Sequence, residues 1–138
     1  MARTVPASRT VKPVRALPTP LRLAVALLFV EALGIGAVAV LFAYYGLTRK
    51  ADSTGSAVTV VVFPAAVAVL LGLLSVTLAR ARAWARGPSI ALELLLVPIG
   101  YYMTVGGTPW LGVPMIVAAL ACTGLLLAPA TRTALGIR

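Results

Sequence analysis

The sequence predicts an all-α membrane protein: a four-transmembrane-helix bundle of antiparallel up-down topology with both termini cytoplasmic. Three observations predict it. Hydrophobic residues make up 61% of the chain and charged residues 11%, against about 45–50% and 25% in soluble domains. Four apolar runs are long enough to cross hydrocarbon. Finally, the basic residues fall mainly in alternate gaps between those runs, which is the pattern that orients a multi-span chain.

Taken in order, residues 1–21 form a basic cytoplasmic arm. It carries Arg3, Arg9, Lys12 and Arg15 and no acid, and Pro6, Pro13, Pro18 and Pro20 favour an extended, disordered backbone. The first span covers about 22–47 and is interrupted only by Glu31. Its apolar part is far longer than the core of a signal peptide, so it reads as an uncleaved anchor. A polar loop with Arg49, Lys50 and Asp52 follows, with Asp52 or Ser53 placed to cap the next helix. The second span, about 57–79, holds no charge and contains Pro64. Arg80, Arg82 and Arg86 then mark a water-facing loop that holds this side inside. Pro88 suits the first turn of the third span, about 88–105. Gly106 and Gly107 leave room only for a tight turn before the fourth span, about 108–130. Residues 131–138 form a short cytoplasmic tail, and residues 22–130 make up the four-helix domain.

Orientation follows from charge. Ten of the 12 basic residues lie in the arm and its boundary, the arginine loop and the tail; only Arg49 and Lys50 lie on the other face. The positive-inside rule then puts both termini in the cytoplasm. The interfacial aromatics agree, with Tyr44, Tyr45, Tyr101, Tyr102 and Trp110 at the outer boundary and Trp84 at the inner one. The formal charge of +9 is explained by topology and anionic lipid headgroups. Nucleic acid is not expected as a partner, because the basic residues are not interleaved with stacking aromatics. The expected partners are the anionic lipid bilayer and a membrane-protein partner or a second copy of the chain. The composition, rich in Ala, Val, Leu and Arg and poor in Lys, suits a high-GC bacterial genome, so the expected location is the bacterial plasma membrane, as a multi-pass protein.

Chemistry is sparse. With one cysteine, Cys122, and no histidine, neither a Cys/His metal cluster nor a histidine-activated nucleophile can form. No metal, no cofactor and no enzymatic activity are expected. Cys122 reads as a small packing residue. The intramembrane polar candidates are Glu31 and Glu93. Glu31 lies eight residues past Leu23, about 12 Å into the bilayer. A carboxylate at that depth costs several kcal/mol unless it is paired, wet or protonated, so it marks a functional hypothesis. Glu31 is expected to be protonated and to face the bundle interior, with Ser75 or Thr77 as a bonding partner. Glu93 lies one turn past Ser89 and is expected to bond Ser89 or reach back towards Arg86. Both acids belong to spans that run outward, so they are able to share a cavity.

Pro64, Pro98 and Pro114 fall at one depth near the outer surface, which predicts outer helix ends splayed into a vestibule. The small pairs Ala32–Gly36, Ala68–Gly72 and Gly124–Ala128 offer seams for close helix packing.

Two resemblances add to this reading. The arginine loop running into Gly87-Pro88, the stretch Pro98-Ile99-Gly100-Tyr101-Tyr102, and Gly106-Gly107 followed by Trp110-Leu111-Gly112-Val113-Pro114 resemble uncharacterised small four-span integral membrane proteins of high-GC Gram-positive bacteria. That likeness implies a four-helix bundle and assigns no activity. In the first span alone, Phe29-Val30-Glu31-Ala32-Leu33-Gly34 is similar to the Glu-x-x-Gly segment of small multidrug resistance transporters. There the glutamate binds protons and cationic drugs, which implies such a role for Glu31. The basic arm, the charge bias and the missing later-span signatures depart from that family. The expected function is that of a non-enzymatic accessory or scaffold component of the cell envelope; the alternative is a small proton- or cation-coupled transporter using Glu31.

Overall fold

The structure, a computed structural model, describes residues 17–48 and 54–136. It has four long helices, α1 (Thr19–Thr48), α2 (Thr54–Ala79), α3 (Arg86–Val105) and α4 (Pro109–Leu127), and a short α5 (Pro129–Ala134). No strand occurs among the described residues. All four long helices are long and apolar enough to cross a membrane. Large apolar side chains such as Val40, Leu47, Leu73 and Val117 are exposed. A surface of that kind suits lipid rather than water.

Each helix buries one narrow stripe. Leu21, Ala24, Leu28 and Glu31 of α1 are buried, as are Val67, Leu71, Leu74 and Leu78 of α2. α3 contributes Ser89, Glu93, Leu96 and Gly100, and α4 Gly112, Ala119, Cys122 and Leu126. The spacings of three and four place each set on one helix face. α1 packs along α2, α3 along α4, and α1 also lies against α4, whereas α2 and α3 meet only sparsely. Two expected seams fit each other: a Cβ built on Gly36 would stand 3.7 Å from the Ala68 Cβ, and one on Gly72 4.0 Å from the Ala32 Cβ. Gly124 meets nothing in this way, so the third small pair contributes no such contact.

The closest helix approach is elsewhere. A Cβ built on Gly112 would collide with the Gly100 carbonyl and the Thr104 side chain, and would stand 2.8 Å from the Thr104 nitrogen. One on Gly100 would stand 2.7 Å from Ile116 Cγ1 and 2.9 Å from the Gly112 carbonyl oxygen. α3 and α4 therefore touch backbone to backbone next to their connecting turn, where Gly107 has φ 97°. The Thr104 hydroxyl donates to the Gly100 carbonyl (2.8 Å) at the same crossing.

The helix ends depart in places from the expected boundaries. α1 begins at Thr19 rather than at about 22, with the Pro18 carbonyl accepting from the Arg22 amide at 3.0 Å. Pro20 sits in that first turn, where a missing N–H costs nothing. Leu21, expected in the arm, is wholly buried, and Leu17 is buried beside it. The remainder of the arm, residues 1–16, lies outside the described residues, as do Arg49, Lys50, Asp52 and Ser53 of the connection between α1 and α2. α4 stops at Leu127, short of 130, because Ala128 turns to extended backbone (ψ 139°) before Pro129. α5 then docks Thr131 and Leu135 in the core, so the tail is partly built into the bundle.

The arginine loop has a defined shape. The Arg82 amide donates to the Thr77 carbonyl (3.2 Å) and the Ala81 amide to that of Leu78 (2.8 Å). This closes α2 with the pair of bonds that follows a residue in the left-handed region. That residue is Ala81, φ 54°, where a Cβ is unfavourable by about 1–2 kcal/mol. Ala81→Gly should therefore raise stability by about 1 kcal/mol, read from unfolding in mixed micelles; an unchanged or lowered midpoint would contradict the assigned backbone geometry.

Candidate intramembrane acid site

The bundle is packed unevenly along its length. Leu21, Leu28, Leu71, Leu78, Leu126 and Ala85 fill the end nearest the arginine loop, all without exposure. Towards the other end the helices part around a cavity of about 580 Å³ that all four long helices line. Pro64 and Pro114 are in its wall. Pro98, expected in the same layer, is exposed and does not line it. The walls are apolar, with Phe42, Phe63, Met103 and Met115 among them, and Glu31 stands where the cavity meets the packed end.

Glu31 comes from the buried stripe of α1 and is 8% exposed; Glu93 comes from that of α3 and is fully buried. The two carboxyls lie close enough to interact, and the Cys122 thiol of α4 adjoins Glu93. The same sulfur lies 3.8 Å from the Ala24 carbonyl oxygen of α1. All four carboxyl oxygens are buried, and among the described residues no N–H or O–H donates to them. The hydroxyl of Thr123, next to Cys122, is likewise buried without a partner.

The partners expected for these acids are engaged elsewhere. Ser75 donates to the Val25 carbonyl (3.0 Å) and Thr77 to that of Leu73 (2.6 Å), so neither serves Glu31. Ser89 donates to the Ala85 carbonyl (2.7 Å). Arg86 Nε donates to the Leu126 carbonyl at 2.9 Å. Helix ends leave such carbonyls without intrahelical partners; here the Thr131 hydroxyl also serves one, the Leu125 carbonyl, at 2.8 Å. Arg86, expected to orient the loop, thus also ties the start of α3 to the end of α4, where a cation is favoured by the helix dipole.

Arg80 and Arg82 are exposed at the same loop, with Trp84 beside them on the surface. Tyr44, Tyr45, Tyr101, Tyr102 and Trp110 are all exposed at the far end, the tyrosines of each pair set edge to face.

Chemically, an ionised carboxylate only accepts hydrogen bonds, whereas a protonated one also donates. One proton placed between Glu31 and Glu93 therefore converts two acceptors without donors into a bonded pair. The site can hold and release a proton at the edge of an apolar cavity. Among the described residues no three His, Cys, Asp or Glu side chains are arranged to hold a metal ion. Compared with protein-family models, curated proteins and solved structures, the chain finds no match.

Proposed function

We propose that the chain is a multi-pass protein of the bacterial plasma membrane, with both termini cytoplasmic, that passes protons or cations by way of the Glu31–Glu93 pair. The observation that carries this reading is the position of the pair. Two acids from different helices meet where the packed half of the bundle ends and the cavity begins, and Glu31 belongs to both. Intramembrane acids facing a bundle interior are the usual site of proton and ion handling. Towards the arginine loop the way is closed by leucine packing, so passage requires the helices to part there.

Topology rests on charge and contacts. Gly36 against Ala68 and Ala32 against Gly72 support an antiparallel α1–α2 pair. Gly100 against Gly112 and Ile116 across the 106–108 turn supports the same for α3 and α4. These contacts, together with the bias of ten basic residues against two, support an up-down bundle with the arginine loop inside. Single cysteines at positions 5, 53 and 84 test it: a membrane-impermeant thiol reagent added to intact cells should label only position 53. Labelling at 5 or 84, with none at 53, would invert the orientation.

The transport reading is tested in proteoliposomes enclosing a pH-sensitive dye. An imposed pH gradient should collapse faster than in protein-free vesicles, and Glu31→Gln should remove the difference while helical content is kept. A wild-type protein that moves neither protons nor monovalent cations would reject transport.

A second reading, the accessory or scaffold component, is favoured by one specific observation: the carboxyl oxygens are fully occluded. In that reading the pair is a lock joining α1 to α3, which share few other contacts. Glu31→Gln would then leave function intact, since the amide keeps a donor and an acceptor.

A further inference from the structure

A second cavity, of about 530 Å³, lies between α1 and α2 at the end of the bundle nearest the arginine loop. It opens on the apolar outer surface, because Leu23, Ala26, Phe29 and Val76 in its wall are all exposed. Its floor is Val25 and Ser75, pinned together by the 3.0 Å hydrogen bond from the serine hydroxyl to the valine carbonyl. The groove exists because Ala26 and Ala79 are small. From Thr19 to Phe29 it follows eleven residues of α1, about 15 Å from first to last, which is the depth of one leaflet of a ~30 Å hydrocarbon core.

One end of the groove is basic. Arg22 lines it beside Thr19, and Arg80 follows Ala79 directly. Both arginines are exposed, and neither forms an ion pair among the described residues. The described acids, Glu31 and Glu93, are buried in the bundle interior. Nothing among the described residues therefore neutralises this end. A guanidinium binds phosphate through two parallel hydrogen bonds. A zwitterionic headgroup would bring an ammonium to a place with no carboxylate to receive it; an anionic headgroup brings no such misfit.

We propose that this groove is a binding site for one anionic phospholipid, its acyl chain lying along Leu23, Ala26 and Phe29 against Val76 and its phosphate on Arg22, with Arg80 adding charge. The site is separate from the acid pair and does not rest on its function.

The test is native mass spectrometry of the full chain, released from micelles of equal phosphatidylglycerol and phosphatidylcholine with matched acyl chains. The wild type should retain one phosphatidylglycerol at least about fivefold more often than phosphatidylcholine. Arg22→Gln should reduce that preference to near unity. Ala26→Trp, which fills the groove from an exposed position, should lower retention of both lipids while circular dichroism stays helical. Equal retention of the two lipids by the wild type, or unchanged retention in both variants, overturns the proposal. Complete displacement by inorganic phosphate also overturns it, since the site would then be one for the free anion. Should a variant fail to fold, phosphatidylglycerol with a photoreactive acyl chain decides on the wild type. Adducts within residues 19–29 and 75–79 are expected, and adducts confined elsewhere overturn it.

Discussion

Gly112→Ala should destabilise the bundle by about 3 kcal/mol, at the upper end of what overpacking usually costs. The added methyl would collide with the Gly100 carbonyl and Thr104, and would stand 2.8 Å from the Thr104 nitrogen. Those obstacles are mainly backbone, held by helical hydrogen bonds, so they cannot turn aside as a flexible side chain would. Alanine favours a helix over glycine by about 1 kcal/mol, and that gain is smaller than the clash. The two helices would have to move apart, and the Thr104–Gly100 hydrogen bond (2.8 Å) sits at the same crossing. Gly100→Ala should act in the same direction with a smaller effect, because part of its clash is with the Ile116 side chain, which has rotamers to use. Gly124→Ala is the control. A Cβ built there would meet nothing within 4 Å outside its own helix backbone, so the change should be neutral or stabilising by up to about 1 kcal/mol. Unfolding titrations in mixed micelles measure all three. A Gly112→Ala protein as stable as the wild type would rule out the backbone-to-backbone crossing.

The second large effect is non-additivity between Glu31 and Glu93. Among the described residues Glu93 is the polar side chain that meets the Glu31 carboxyl, whose oxygens receive no bond from a protein N–H or O–H, so Glu93→Leu alone strands it. A buried polar group stranded in this way costs about 1–3 kcal/mol. Glu31→Leu alone strands Glu93 likewise, apart from its contact with the weakly donating Cys122 thiol. Replacing both acids removes both stranded groups, and buried polar pairs exchanged for apolar residues of similar size are often neutral or stabilising. The double variant should thus be more stable than either single one, giving a coupling energy of about 2 kcal/mol or more. Glu31→Gln should be tolerated, because the amide donates to Glu93 in place of a shared proton. Additive single effects would show that the two carboxyls do not meet. This cycle reads stability, so it tests the geometry of the pair independently of whether anything is transported.

Much of this architecture is legible in the chain because the bilayer imposes it. Lipid demands long, uninterrupted apolar helices, and 61% hydrophobic residues with charges gathered in the gaps betray them without any partner information. Turn residues are equally local. Gly106-Gly107 and the Arg80–Arg86 stretch mark the connections, because the constraints there, a left-handed backbone or a charge excluded from hydrocarbon, act on single residues. Glu31 and Glu93 stand out for the same reason: an acid in a lipid span is conspicuous wherever it points.

Where those acids point was decided only by the tertiary structure. In a soluble helix an apolar stripe reveals the inner face. α1, α2 and α4 are apolar on every face, with large hydrophobic side chains both buried and exposed, so no stripe distinguishes bundle from lipid. Hence Ser75, Thr77 and Ser89 look like plausible partners for the acids in sequence, yet in the structure each serves a backbone carbonyl. The meeting of Glu31, Glu93 and Cys122 joins three helices, with 61 residues between the first two positions, and depends on which faces pack. The Gly100–Gly112 crossing could have been suspected from two glycines placed on either side of the turn. Arg86 reaching the Leu126 carbonyl had no such signal, since an arginine after a span already has a sufficient reason to be there. Hydrophobicity set which segments are long and apolar enough to cross a membrane, and side-chain volume and backbone contact set which of their faces meet in the bundle.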